Sequence, residues 1–231
     1  MACQKFPSLP WDQVIDRVAN SVFCISVDDF AGSSFVVSLA KDDASGTFHT
    51  ILATAWHVLR DVENPEQKLR ITSWDGTRTF VAGDSRTEVI RLGSDVFDTA
   101  LIHIETKEPT LDIADLLPLF PSDSVLARGA GVGWLGFPTI ADPELCFFRG
   151  CISGYLNDPP AYLVDGVAIN GVSGGPVFDD RCHLVGLVSA YIPNRLDDQT
   201  LLQGLSSITP INAIRYWLDN KVNAHDLSRA D

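Results

Sequence analysis

Residues 171–176 read GVSGGP, followed a few residues later by the apolar run HLVGLVSA (183–190). One hydroxyl, Ser173, stands among three glycines, which allow backbone angles and close approaches that a side chain would block. Such a loop can present the serine to a substrate with bare backbone N–H groups beside it. It can equally be an ordinary turn, because Gly, Ser and Pro are the common turn residues. The six residues alone do not choose between these readings.

Working outward, short apolar runs separated by turn clusters recur on both sides of the loop. Before it lie SVFCISV (21–27), SSFVVSLA (33–40), HTILATA (49–55), KLRITSW (68–74), TRTFVAG (77–83), EVIRLG (88–93) and TALIHIE (99–105). A second set comprises ARGAGVGWLGF (127–137), LCFFRGCISGYL (145–156), AYLVDG (161–166), PVFDD (176–180), HLVGLVSA (183–190) and TLLQGLSS (200–207). About a dozen short strands at close spacing predict an all-β sandwich or barrel architecture. The proline-containing stretch 108–123 divides them evenly and reads as a connection between two barrels. Domain boundaries follow: 1–115 for the first barrel and 116–231 for the second. Val14, Ile15, Val18 and Val22 in WDQVIDRVANSVF predict a short N-terminal helix after Pro10, with Ser8 as its cap. Ile211, Ile214, Trp217 and Leu218 predict a second helix over 210–222, and the tail NAHDLSRAD reads as frayed.

Bulk composition narrows the function classes. A net charge of −13 argues against a nucleic-acid partner. No run approaches 18 uncharged apolar residues, so no membrane span is expected, and MACQKFPSLPWDQ lacks the pattern of a secretory leader. Five cysteines, an odd number without a leader, favour reduced thiols in a cytoplasmic protein. A Cys146–Cys151 pairing across a hairpin is the alternative.

A serine hydroxyl is a weak nucleophile at neutral pH and needs a base, itself oriented by a third group. Both partners occur upstream in suggestive settings. His57 follows a β-branched run in ILATAWHVL, and Asp98 directly precedes an apolar strand in DVFDTALIHIE. Asp95 competes with Asp98, but TALI follows only the latter. Each residue alone has a bland reading: a half-buried histidine, a turn-capping aspartate and a turn serine.

Taken together, the three motifs resemble those of the trypsin/chymotrypsin-like serine proteases, within them the HtrA-like and other bacterial-type members. TAWHV is similar to the family's TAAHC or TNHHV, DTALI to its D-[IL]-A-[LV]-[LI], and GVSGGP to its G-[DN]-S-G-G-P. AIN (168–170) and GLVSA (186–190) resemble the run before the serine and the strand lining the cleft. The resemblance spans about residues 20–219. It implies two six-stranded antiparallel β-barrels with short terminal helices, and a serine endopeptidase acting on protein or peptide substrates. His57 would be the general base and then acid, Asp98 its orienting partner, and Ser173 the nucleophile. The N–H groups of Gly171 and Ser173 would form the oxyanion hole, with the Ser189 hydroxyl supporting the aspartate. No cofactor and no metal are implied, and no PDZ-like unit is expected.

Val172 departs from the family pattern, since trypsin-type enzymes carry there an aspartate that receives a newly cut N-terminus. Constitutive activity, loop ordering or a regulatory protein partner would replace that switch. By offset from Ser173 the pocket base falls near Val167, with Ala168, Asn170, Ala190 and Tyr191 lining it. Tyr191 stands where small-pocket enzymes carry a bulky residue, which implies a small or medium apolar preference. Asp165, if its loop runs differently, would restore a basic one.

Other signals lose. Gly131–Gly136 matches G-x-G-x-x-G, but Phe137-Pro138 follows where a dinucleotide fold opens a helix. His49, His103, His183 and His225 show no zinc-ligand spacing, and Cys182-His183 reads as strand at a hairpin edge. A binding module that has lost turnover has no need of all three triad residues. An esterase with this triad would carry G-x-S-x-G and the order Ser, Asp, His.

Overall fold

The structure is a computed structural model describing residues 7–27, 30–60, 69–81, 86–91, 97–112, 116–141, 143–195 and 201–221. Asp95, Cys3, His225 and the C-terminal tail lie outside these residues. Helix α1 (Trp11–Ala19) leads into β1 (Val22–Val27), β2 (Phe30–Asp42) and β3 (Thr47–Thr54), then the one-turn helix α2 (His57–Arg60). Strands β4 (Leu69–Ser73), β5 (Thr79–Val81), β6 (Arg86–Arg91) and β7 (Ala100–Thr106) complete a first antiparallel sheet. Its strand order is β5-β4-β1-β2-β3-β7-β6. That is one strand more than the six expected, because two short strands, β5 and β6, pair at opposite edges.

The second half is a closed six-stranded barrel. It comprises β8 (Gly131–Gly136), β9 (Cys146–Asn157), β10 (Pro160–Asp165), β11 (Pro176–Phe178), β12 (Leu184–Arg195) and β13 (Leu201–Pro210). Helix α3 (Asn212–Lys221) follows. The all-β architecture of two barrel-like sheets read from the sequence is therefore the one observed, with the second sheet closed and the first open. The G-x-G-x-x-G run is β8, a strand in the barrel wall, and no helix opens at its glycines.

Strand alternation builds two cores. Val132 and Trp134 of β8 point into the barrel with Ile152, Val164, Val177 and Val188. Leu135, one residue on, faces out into a larger core shared with Phe23, Phe35 and Leu101 of the first sheet and Val14 and Val18 of α1. The two halves are thus joined by buried apolar surface rather than tethered. Trp11 seats α1 on the second barrel, its ring 5.5 Å from Phe147 and under the Arg149 guanidinium.

Four local readings are corrected. Val22, read on the helix face, instead opens β1, because α1 ends at Ala19. Ser8 does not cap α1: Pro10 holds that position, and the Ser8 hydroxyl donates to Asp180 Oδ2 at 2.7 Å instead. Cys146 and Cys151 cannot face each other across a hairpin, since both lie on β9. Cys24, Cys146, Cys151 and Cys182 are free thiols. Cys182 lies in the β11–β12 turn at positive φ, beside a buried His183–Asp179 pair, rather than in a strand. No helix among the described residues is long and apolar enough to cross a membrane.

Candidate active site

His57 opens α2 where β3 ends, and Asp98 precedes β7, the strand paired with β3. The pairing Thr54↔Ala100 brings residues separated by 41 positions to one end of the sheet. Their backbones then lock together. The Trp56 N–H donates to the Asp98 carbonyl at 3.1 Å, and the His57 N–H donates to Asp98 Oδ1 at 2.9 Å. Asp98 adopts φ +39°, a left-handed value that aspartate tolerates better than most residues.

The Asp98 carboxylate collects two further bonds, both at Oδ2: His57 Nδ1 at 2.8 Å and the Ser189 hydroxyl of β12 at 2.6 Å. Burial alone would raise its pKa. The bonds from His57 and Ser189 and the attraction of the imidazole outweigh burial, and the carboxyl lies below its ordinary value. An ionised carboxylate only accepts hydrogen bonds, so Nδ1 must carry the imidazole proton. In the neutral ring Nε2 then keeps its lone pair. That is the tautomer a proton acceptor needs.

Ser173 lies in the loop between β10 and β11, and loop geometry depends on two glycines at positive φ. Gly171 has φ +93° and Gly174 has φ +81°. A Cβ on Gly171 would collide with the Phe137 carbonyl, and one on Gly174 with the Ser33 carbonyl and the Thr54 hydroxyl. Only glycine fits either place. Between them Val172 is fully buried in the barrel core against the Trp134 and Val188 group, an apolar anchor without a charged partner.

The Asn170 carbonyl accepts from the Thr139 N–H at 2.9 Å. In a trans peptide that orientation turns the Gly171 N–H the opposite way. Among the described residues neither the Gly171 nor the Ser173 N–H donates a hydrogen bond. No hydrogen bond there joins Ser173 Oγ to His57, a bond often long until substrate is present.

Ser33, on β2, is a residue the sequence reading missed. Its hydroxyl donates to the Gly171 carbonyl at 2.8 Å and accepts from the Phe137 N–H at 2.9 Å. Its own N–H donates to the Ser173 carbonyl at 2.9 Å, and its carbonyl accepts from the Thr54 hydroxyl at 2.8 Å. One fully buried serine of the first sheet thus fixes the serine loop of the second barrel. Ser33→Ala would leave the Gly171 carbonyl and Phe137 N–H without this partner in the interior. Each such loss costs about 1–3 kcal/mol, so urea denaturation should show a destabilisation of roughly 2–6 kcal/mol.

A cleft of about 850 Å³ gathers Trp56, His57, Asp98, Ser173 and Ser189 between the two halves. Ala168, Ile169, Asn170, Ala190 and Tyr191 line it too. Tyr191 reaches across the β12–β13 pair, its oxygen accepting from the Gly204 N–H at 2.7 Å. Val167 does not line the cleft: it is 41% exposed on the surface. Asp165 ends β10, exposed, and also stands outside the lining. Val167, which the offset puts at the pocket base, thus stands outside this lining, whereas Ala168, Asn170, Ala190 and Tyr191 share the cleft with His57, Asp98 and Ser173.

A trypsin-like peptidase domain is the family whose sequence pattern matches residues 32–187. No curated protein sequence matches. Among solved structures, the chain is similar to a serine endoprotease from Yersinia pestis, with TM-score 0.64 and 18% identity over 93% of this chain and 67% of that one. It is also similar to a Mycobacterium tuberculosis protein solved as a serine-to-alanine mutant in its inactive form. There the TM-score is 0.62 and the identity 17%, over 96% of this chain and 98% of that one. At these identities the structures speak for the fold alone. The sequence match covers well over half of the chain, including His57, Asp98 and Ser173, and on that ground the protein belongs to the trypsin-like peptidase domain family.

Proposed function

We propose that the protein is a serine endopeptidase whose nucleophile is Ser173. The observation that carries this reading is the Asp98 carboxylate, which accepts from His57 Nδ1 and Ser189 in the cleft that Ser173 lines. His57 Nε2 takes the Ser173 hydroxyl proton as Oγ bonds to the scissile carbonyl carbon. The resulting oxyanion lies against the N–H groups of Gly171 and Ser173, each worth about 3–4 kcal/mol of transition-state stabilisation. The imidazolium then gives its proton to the departing amine as the C–N bond breaks. Water, deprotonated by His57, cleaves the acyl-enzyme and returns the proton to Ser173. The first sheet (1–115) supplies acid–base chemistry and the second barrel (116–231) the nucleophile and oxyanion hole.

Buried Val172 offers no carboxylate to a newly cut N-terminus, so control by that route is replaced by constitutive activity, loop ordering or a regulatory protein partner. The Asn170–Thr139 bond supports a loop already set for catalysis. Four free thiols support a reducing, cytoplasmic setting.

The test is a fluorophosphonate probe with the adduct located by mass spectrometry. Labelling of Ser173 that requires His57 supports the reading. An unlabelled Ser173, in a protein that also cleaves no peptide in a library, overturns it in favour of a binding module. The same library reads specificity. Ala168, Ala190 and Tyr191 leave room for a small apolar side chain, and Tyr191→Gly should raise kcat/KM for Leu or Phe over Ala at the cleavage site by about tenfold or more.

A further inference from the structure

The geometry points to a binding site for a divalent transition-metal ion of the zinc class, formed by His49, His103 and Glu105 on the paired strands β3 and β7. The register sets His49 opposite Glu105 and Ile51 opposite His103. Side chains two apart along a strand share a face, so the two histidines and the glutamate leave the sheet on the same side. No linear motif announces them, since 54 residues separate the two histidines.

Their ligand atoms all lie within 4.8 Å of one another. His49 Nδ1 stands 3.1 Å from His103 Nε2, and 3.8 Å from Glu105 Oε1. Two nitrogens at the usual ~2.0–2.1 Å from zinc stand roughly 3.0–3.4 Å apart, so the imidazole pair already has the required separation. Glu105, its side chain 23% exposed, turns its carboxylate to close the remaining distance, leaving water the fourth position. The two rings are nearly parallel, 13° apart, with their facing nitrogens in hydrogen-bond contact, and each ring turns on binding to aim its lone pair at the shared ion.

The chemistry of the donors agrees. His103 is 5% exposed, and its burial, with His49 beside it, holds its pKa below the ordinary histidine value. Burial thus favours the neutral ring, the form in which imidazole binds metals, against the opposing pull of Glu105. On binding, the proton between the rings moves to the outer nitrogen of the ring that carried it, so both facing nitrogens offer lone pairs. Three donors of the His₂Glu type suit zinc, and poorly suit magnesium or calcium, which take oxygen ligands.

The site is remote from the cleft. His49 and Glu105 lie five residues along the strands from the Thr54–Ala100 pair, about 17 Å at the rise of a strand. An ion there takes no part in peptide hydrolysis. It clamps the two strands whose other ends carry His57 and Asp98.

The experiment uses the full chain stripped of metal, titrated with Zn²⁺ and followed by thermal unfolding. Zn²⁺ at a hundred times its dissociation constant should raise Tm by roughly 5–10 °C, and Mg²⁺ should not. His49→Gln and Glu105→Gln, both at partly exposed positions, should fold and each bind at least tenfold more weakly. Co²⁺ should give visible bands without a sulfur-to-metal charge-transfer band. No Zn²⁺-dependent shift, an equal shift in both variants, or a cobalt–sulfur band placing the ion on a cysteine would each overturn the site.

Discussion

Ser173→Ala is expected to lower kcat by roughly 10⁴–10⁶ while leaving Tm within a degree or two of the parent. The change removes one hydroxyl from a half-buried residue whose carbonyl, bound by the Ser33 N–H, is untouched. Val172 and the two positive-φ glycines still hold the loop. What disappears is the covalent route. His57→Ala should cost about as much, for a different reason: the hydroxyl remains but nothing takes its proton. The double variant should be hardly slower than either single one, because the residues act as a unit. The measurement is kcat on the best library peptide for the two single variants and the double, with thermal unfolding of each. Additive losses would mean that the two side chains serve separate steps, and the triad assignment would fall. Residual turnover well above the uncatalysed rate is expected in all three, since the Gly171 and Ser173 N–H groups survive these substitutions.

Much of this arrangement can be read in the chain because each residue of the proposed triad sits at the edge of a strongly patterned strand. ILATAWHVL ends β3, DTALI begins β7, and GVSGGP precedes β11; apolar alternation locates the strands, and the chemistry-bearing residues follow by position. Where the reading fell short, the cause was pairing between distant segments. Ser33 acts through the Gly171 carbonyl 138 residues away, in a cross-barrel contact that local pattern does not encode. The signal lay in GSS (32–34), a glycine and two serines at a strand otherwise built for the core. His49 and His103 meet only through the β3–β7 register, and His103-x-Glu105 on one strand face was the clue available. The pocket failed differently. Counting back from Ser173 assumes a loop of standard course, but Val167 is 41% exposed and outside the cleft lining, which Tyr191, held by the Gly204 N–H, joins instead. Ser8 shows the same limit: its capping propensity yields to Asp180 on the β11–β12 turn, a partner 172 residues away.

Asp98→Asn should cost about 10⁴ in kcat with little change in the fold. Three donors converge on this carboxylate: the His57 N–H, His57 Nδ1–H and the Ser189 hydroxyl. A carboxamide of nearly the same shape keeps its oxygen for the His57 N–H but sets an NH₂ group in place of Oδ2, where His57 Nδ1–H and the Ser189 hydroxyl both donate. The His57 ring relieves this by accepting from the amide at Nδ1, which moves its proton to Nε2. The imidazole then faces Ser173 with a hydrogen where it needs a lone pair. Ser189→Ala, by contrast, removes one of the three donors and leaves the tautomer intact, so a loss of about tenfold is expected. The pair of variants separates orientation of the base from mere polarity of the site. Acid stability supplies an independent reading. The folded Asp98 carboxyl lies below its ordinary pKa, so its contribution is present above the unfolded value of about 3.9 and is lost as pH falls through the lower folded value. Urea denaturation should therefore show the parent ahead of Asp98→Asn near neutral pH, with the gap narrowing below about pH 4. A gap that stayed constant down to acid pH would mean the carboxylate charge is not what the three donors stabilise, and the imidazole would lose the partner that fixes its proton at Nδ1.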